Sequence, residues 1–229
     1  MLEPLAVSVG RVASETMSLR PSDSGYPASL KALRNPPQAL FMKGDETLLA
    51  RRCVAVVGTR TAPQKTLDFA RKLSSELAEA GFVVVSGGAR GIDTAAHLGA
   101  LEGGGKTIAV LPSSFGNPYP PENASLFERI SENGLLVTEY APGEALQRYM
   151  FVQRNRITAS LSGAVVVIAS GVDGGSMRQA NEAAKQGKAV FCPDPSLGLE
   201  PSEGVLSLLE SGKAKPFKTA RELIAKIKA

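Results

Sequence analysis

The chain has 229 residues, 43% hydrophobic, 5% aromatic and 21% charged, with 26 Lys plus Arg against 22 Asp plus Glu for a net charge of +4. Its 23 glycines and 15 prolines follow no period and no long block of like charge occurs, which excludes a collagen-like or mainly disordered chain. Cys53 and Cys192 stand far apart beside apolar runs, so no disulfide framework or CxxC pair is available. With no basic-then-apolar leader and no apolar run long enough for a bilayer, a cytoplasmic, membrane-free protein is expected.

Residues 1 to 24 mix small, polar and charged types without a sustained period and read as a loosely ordered arm. One domain is expected over 25–229. Within it, residues 25–50 carry Pro27, Pro36 and Pro37 among Leu30, Leu33, Leu40 and Phe41. That pattern predicts one short helix and an extended segment packed on a main sheet built from 51–229. From Cys53 onward, β-branched runs alternate with segments of helical period: Val54 to Val57 then Pro63 to Ala80, Phe82 to Ser86 then Ile92 to Leu101, Thr107 to Leu111 then Asn123 to Glu132. Leu135 to Thr138 then Phe151 to Leu161, Ala164 to Ala169 then Met177 to Gln186, and Ala189 to Phe191 with a last helix near Leu223 to Ile227 continue the series. Near-continuous apolar strands separated by helices imply an α/β, doubly wound, mostly parallel sheet with helices on both faces. Such sheets bind ligands beyond the carboxyl ends of their strands.

Three glycine turns fall at those ends. Gly58-Thr59-Arg60 follows the first strand and precedes Pro63, a tight turn that offers backbone N–H groups, a helix N-terminus and a permanent cation to an anion. A dinucleotide fingerprint is absent, because Gly58 is followed by Thr, Arg, Thr, Ala and Pro. Ser86-Gly87-Gly88-Ala89-Arg90-Gly91-Ile92-Asp93 follows the second strand, where Asp93 fits a helix cap or a partner for Arg90. Asp173-Gly174-Gly175-Ser176, with Arg178 close behind, follows the fifth. Gly105-Lys106-Thr107 fails as a phosphate-binding loop in both spacing and context. His97, the sole histidine, has no nucleophile at useful spacing and reads as packed rather than catalytic.

The segment from Ala145 to Val172 contains no acidic residue and gathers Arg148, Tyr149, Phe151, Gln153, Arg154, Asn155 and Arg156. Arginines for phosphates and an aromatic face for a base are what single-stranded nucleic acid binding uses. On a helix Arg154 and Arg156 cannot share one face, so one is expected at a ligand and the other in a structural pair, with Glu139 a candidate partner. No pair of carboxylates has a spacing that assigns acid and base roles, so no catalytic residue, metal or cofactor is expected.

Val54-Ala-Val-Val-Gly-Thr-Arg60, Val85-Ser-Gly-Gly-Ala-Arg-Gly-Ile-Asp-Thr-Ala-Ala-His97, Tyr119-Pro-Pro-Glu-Asn123 and Phe151-Val-Gln-Arg-Asn-Arg-Ile157 together resemble the DNA-processing protein A (DprA, or Smf) family. Tyr26-Pro and Lys43-Gly44 fit the same pattern, so the resemblance runs from about Tyr26 to Lys215. It implies an extended Rossmann-like fold, single-stranded DNA binding, a homodimer, and help in loading a RecA-type recombinase during natural transformation. By motif position the DNA pocket would comprise Gly58, Thr59, Arg60, the Gly87-Gly88 turn, Arg148, Phe151, Arg154, Asn155 and Arg156; the third glycine turn, Gly174, Gly175 and Ser176, is added from its place at the same sheet edge, although the stretch from Asp173 to Ala180 departs from the family pattern. Where many members carry a basic residue, this chain has Pro120-Pro121-Glu122. The alternatives are a nucleotide phosphoribohydrolase, whose Pro-Gly-Gly-x-Gly-Thr-x-x-Glu motif is not reproduced around Asp173, and a nucleotide-signal sensor of related fold.

Overall fold

The computed structural model describes residues 16–200 and 202–228. Its centre is a set of short valine-rich strands buried on both faces: β3 (Cys53–Val57), β4 (Val83–Ser86), β5 (Thr107–Val110), β6 (Leu135–Thr138) and β7 (Ala164–Val167). Towards one edge follow β8 (Ala189–Pro193) and β9 (Lys215–Phe217), and towards the other β2 (Leu40–Gly44) and β1 (Met17–Leu19). Among the described residues the nine strands lie in the order β1-β2-β6-β5-β4-β3-β7-β8-β9. β3 to β9 run parallel, whereas β2 pairs antiparallel with both β6 and β1. Successive parallel strands step away from β3 in one direction and then, from β7, in the other, which makes β3/β7 the topological switch point of a doubly wound, Rossmann-like sheet.

Strand periodicity sends alternate side chains to opposite faces. Val54, Val56, Val84 and Val166 pack against α2 (Gln64–Glu79), α3 (Ile92–Glu102) and α8 (Ala220–Lys228). Val83 and Val85 meet Leu30 of α1 (Ala28–Lys31) and Ile157 and Leu161 of α5 (Arg148–Leu161), while Val165 and Val167 meet α6 (Gly175–Lys185) and α7 (Glu203–Glu210). α4 (Ala124–Asn133) covers Ala109 and Leu136. α2 buries Thr66, Ala70, Leu73, Ser74, Leu77 and Ala78, a stripe at the three- and four-residue spacing that one helix face requires.

The segment over residues 25–50 contains the expected short helix, and its extended part is β2. Three elements differ from the sequence reading. Met17–Leu19, placed in the loosely ordered arm, is the edge strand β1, held by backbone pairing to β2 that three residues of mixed polarity do not signal. Residues 1–15 of that arm lie outside the described residues. α7 and β9 also went unread, because β9 contains Pro216 and only Phe217 of its three residues is buried. A proline is tolerated there because β9 is an edge strand. Among the described residues no helix is long and apolar enough to cross a membrane.

Candidate nucleic-acid interface

At the switch point the chain leaves β3 through Gly58-Thr59-Arg60 and leaves β7 through the loop that ends in Gly174-Gly175-Ser176. The two turns are tied together by the Thr59 N–H, which donates to the Ala169 carbonyl at 2.8 Å. Close approach explains the first glycine: a Cβ at Gly58 would sit 2.6 Å from Ile92 Cγ1, so α3 packs on this turn only if it is bare. Between the turns lies a cavity of about 380 Å³ lined by Thr59, Arg60, Phe151, Asn155, Gly175 and Arg178. The first turn of α6 opens into it, and no side chain caps that helix. Its N–H groups and positive end therefore face the cavity as an anion site.

A second cavity of about 350 Å³ shares Arg60, Ala89, Phe151 and Arg154 with the first and is walled by Arg90, Pro112, Tyr119 and Pro120. Phe151 stands between the two. The Arg60 guanidinium lies over its ring, 5.3 Å from the centroid, and Tyr119 meets it edge-on with centroids 5.3 Å apart. Arg60 is exposed, so its charge and the Phe151 ring form one cationic, aromatic wall open to solvent.

Behind this wall the charges are structural. Arg154 is 6% exposed and donates from Nη1 to the Val110 carbonyl at 3.1 Å, while its buried Nε–H has no partner. Burial pulls its pKa down, and Asp93 supports its charge. Asp93, equally buried, accepts the N–H groups of Gly87 (3.2 Å) and Ala89 (3.3 Å). Burial raises its pKa against the opposing pull of Arg154 and those donors. A Cβ at Gly87 would overlap the Arg154 guanidinium, so this glycine exists to let the arginine lie under the turn. The second glycine turn thus spends two amides on Asp93 instead of presenting them to a ligand. Asp93 holds the turn, supports the Arg154 charge only through its field, and does not hold Arg90, whose partner is Glu122 at 2.5 Å.

The residues expected at one edge are therefore divided. Gly58, Thr59, Arg60, Phe151, Asn155, Gly174, Gly175 and Ser176 line the first cavity, and Gly87 and Arg154 form the back of the second. Gly88 is buried at φ 68° against Phe127, and Arg148 is exposed at the start of α5, outside either lining. Arg156 does not join the group. It points across α5 to a bidentate pair with Glu139 (2.6 and 2.7 Å) and donates to the Asn35 carbonyl, which anchors the α1–β2 connection. Neither Arg154 nor Arg156 is thus an exposed ligand-facing arginine; α5 uses both to brace the fold. Tyr119, Pro112 and Arg178 were not among the expected residues. An aromatic flanked by prolines after a strand end was the available signal for Tyr119. His97 is buried, with Nδ1 2.7 Å from Thr107 Oγ1, and burial together with Arg154 lowers its pKa to about 3. Among the described residues no three His, Cys, Asp or Glu side chains converge as a metal site.

A doubly wound, mostly parallel sheet with an open cleft at its switch point, cationic, glycine-turned and aromatic-walled, defines a Rossmann-like α/β protein. The chain belongs to the family of DNA recombination-mediator protein A, whose model matches residues 18–228. It is 34% identical over 90% of its length to the DNA processing protein DprA of Bacillus subtilis, covering 69% of that protein. The DprA structure from Streptococcus pneumoniae superposes with a TM-score of 0.85 at 36% identity, over 93% of this chain and 75% of that one. DNA processing protein A from Helicobacter pylori, solved to explain its single-stranded DNA binding mode, superposes with a TM-score of 0.84 at 31% identity, over 94% of this chain and 96% of that one. The chain spans between about half and seven-tenths of the length of the curated relatives it matches.

Proposed function

We propose that this chain binds single-stranded DNA at the switch-point cleft, as a binding protein without catalysis. The observation that carries the reading is the exposed Arg60 guanidinium laid over Phe151 between two cavities. A phosphate is held by Arg60, Arg178 and the uncapped first turn of α6, and an unpaired base stacks on Phe151 with Tyr119 closing its edge. A base inside a duplex is already stacked and cannot enter this wall, so the site selects single strands. Membership of the family supports two further parts of the same reading: a homodimer that joins two such sites, and delivery of the bound strand to a RecA-type recombinase.

The test is fluorescence anisotropy of a labelled oligothymidylate, with duplex and mononucleotide as competitors, on wild type, Arg60→Ala and Phe151→Ala. Each variant is expected to bind about tenfold or more weakly with its thermal melt unchanged, since stacking alone contributes about 1–3 kcal/mol per base. Wild-type affinity should fall steeply with salt. Failure to bind DNA, with saturable uptake or turnover of a mononucleotide, overturns the reading in favour of a nucleotide hydrolase or sensor.

A further inference from the structure

A larger concavity lies elsewhere: a groove of about 1040 Å³ between α5, α6 and the α1–β2 connection. It is continuous with the switch-point cleft, because Val152, Asn155 and Arg178 line both. Its walls carry Arg34 and Lys185, both exposed, and Lys188, beyond the end of α6. Arg178 and Lys185 stand seven residues apart, two turns along one face of α6 and about 10 Å at the helical rise. The acids in reach are already engaged. Glu139 is paired with Arg156, and Glu182 accepts from Gln186 at 3.1 Å with Lys185 Nζ at 3.9 Å. The groove therefore keeps a positive surplus: Arg34, Arg178, Lys185 and Lys188 line it against Glu182, whose contact with the exposed Lys185 is loose at 3.9 Å. Nothing in the Arg60–Phe151 wall requires this surplus, and Val152, 48% exposed, sits at the junction as an apolar surface beside a cation.

Resting on the DNA reading above, we infer that this groove is the continuation of the strand's path: a bound single strand leaves the cleft past Arg178 and lays its backbone along Arg34, Lys185 and Lys188. A polymer seated in the cleft has to leave it, and the groove opens from the cleft's own lining with cations spaced along it. Its walls set charged and amide side chains beside the apolar surface of Ala32, Leu33 and Val152, and the spaced cations suit a sugar–phosphate chain. An amphipathic helix would need apolar pockets at three- and four-residue spacing. The arrangement matches the general design of single-strand sites, in which a charged groove tracks the backbone and one aromatic platform takes the bases. Arg156, at the floor, builds the wall through Glu139 and the Asn35 carbonyl and is not itself a contact.

The test compares a tetrathymidylate, which the cleft alone accommodates, with a 20-mer, on wild type, Arg60→Ala and the triple variant Arg34→Gln/Lys185→Gln/Lys188→Gln. The triple variant should bind the 4-mer as wild type does and the 20-mer about tenfold or more weakly. Its salt slope on the 20-mer should be shallower by about 2, the value for three lost single-strand phosphate contacts. An unchanged melting temperature shows that the fold is intact. Equal binding of both lengths by the variant and wild type, while Arg60→Ala loses both, overturns the groove and leaves the cleft standing. Equal loss of both lengths in the triple variant also overturns it, because the charges would then act through the cleft. Loss of binding to a polyglutamate probe with DNA affinity intact assigns the groove to an acidic polypeptide and overturns it as well. If wild type binds neither length, the DNA reading itself fails and the inference falls with it.

Discussion

The front and back walls of the switch-point cleft each contain an arginine, and the two have opposite roles. Arg60 is exposed, lies over Phe151 and faces solvent, whereas Arg154 is buried beneath Gly87, hydrogen-bonded to a strand carbonyl and facing Asp93. Both line the same cavity. A cation at a pocket is thus not one kind of residue. What separates them is where the guanidinium's hydrogen bonds go: into the sheet for Arg154, and for Arg60 towards whatever enters from solvent. The back wall fixes the Gly87 turn so that the front wall can hold its geometry with little rearrangement on binding, the usual source of affinity in a preorganised site.

The comparison breaks most visibly if the two arginines are removed in turn. Arg154→Ala removes the donor to the buried Val110 carbonyl and empties the space beneath Gly87, and should cost about 3–5 kcal/mol of stability. That corresponds to a fall on the order of 10 °C in melting temperature for a domain of this size. Arg60→Ala should leave stability within about 0.5 kcal/mol while weakening binding. Gly87→Ala adds a second test of the same wall. Alone it forces a methyl group against the guanidinium and should cost about 1–3 kcal/mol, but with Arg154→Ala present the space is free and the two costs should not add. Urea unfolding of the four proteins closes the cycle. Additive costs would show that Gly87 and Arg154 are not coupled.

The buried charge also reaches His97, which sets a smaller, pH-dependent effect. Its folded pKa of about 3 lies below the ordinary 6.5, so the folded state binds fewer protons than the unfolded state between those values. Its contribution to stability is complete above pH 6.5 and is lost as pH falls towards 3, amounting to about 2 kcal/mol at pH 5. Asp93 acts in the opposite sense: its raised pKa favours folding as pH falls, so wild type alone reports a partial cancellation. Unfolding free energies at pH 7 and pH 5 should therefore be taken for wild type and His97→Gln together. The variant should lose about 2 kcal/mol less on acidification. An identical loss would mean that His97 is accessible to protons in the folded state.

The division between the walls also marks how far the sequence could be read. The sheet was legible because β3 to β7 are valine-rich runs buried on both faces, which leaves their strand character unopposed by polarity. The front of the site was legible for a related reason: Gly58-Thr59-Arg60 and Phe151 join residue types that the fold alone does not need at strand ends. Arg154 and Arg156 were recognisable as an unusual pair, yet nothing local distinguishes an arginine under a glycine from one over an aromatic. Their partners Val110, Glu139 and Asn35 are 17 to 121 residues distant in sequence. Tyr119 escaped because its partner Phe151 is likewise remote, and β1 because three residues gain their structure from β2 alone.

Arg90 is intermediate between the two walls and gives the smallest expected effect. It stands on the rim of the second cavity, but its charge is paired with Glu122 at 2.5 Å, in the Tyr119–Asn123 loop. Both side chains are more than half exposed, so the pair contributes no more than about 1 kcal/mol to stability, and Glu122→Gln should leave the melt unchanged. For DNA the same carboxylate matters differently, because it places a negative charge beside the strand and occupies a cation that would otherwise face it. Glu122→Gln should therefore strengthen single-strand binding a few-fold at low ionic strength, with the gain fading as salt shortens the screening length below about 10 Å. Weaker binding in the variant would reverse the assignment. It would mean that Glu122 holds Arg90 in the orientation the strand uses, and that Arg90 belongs with Arg154 as a braced residue instead of with Arg60 as a free one.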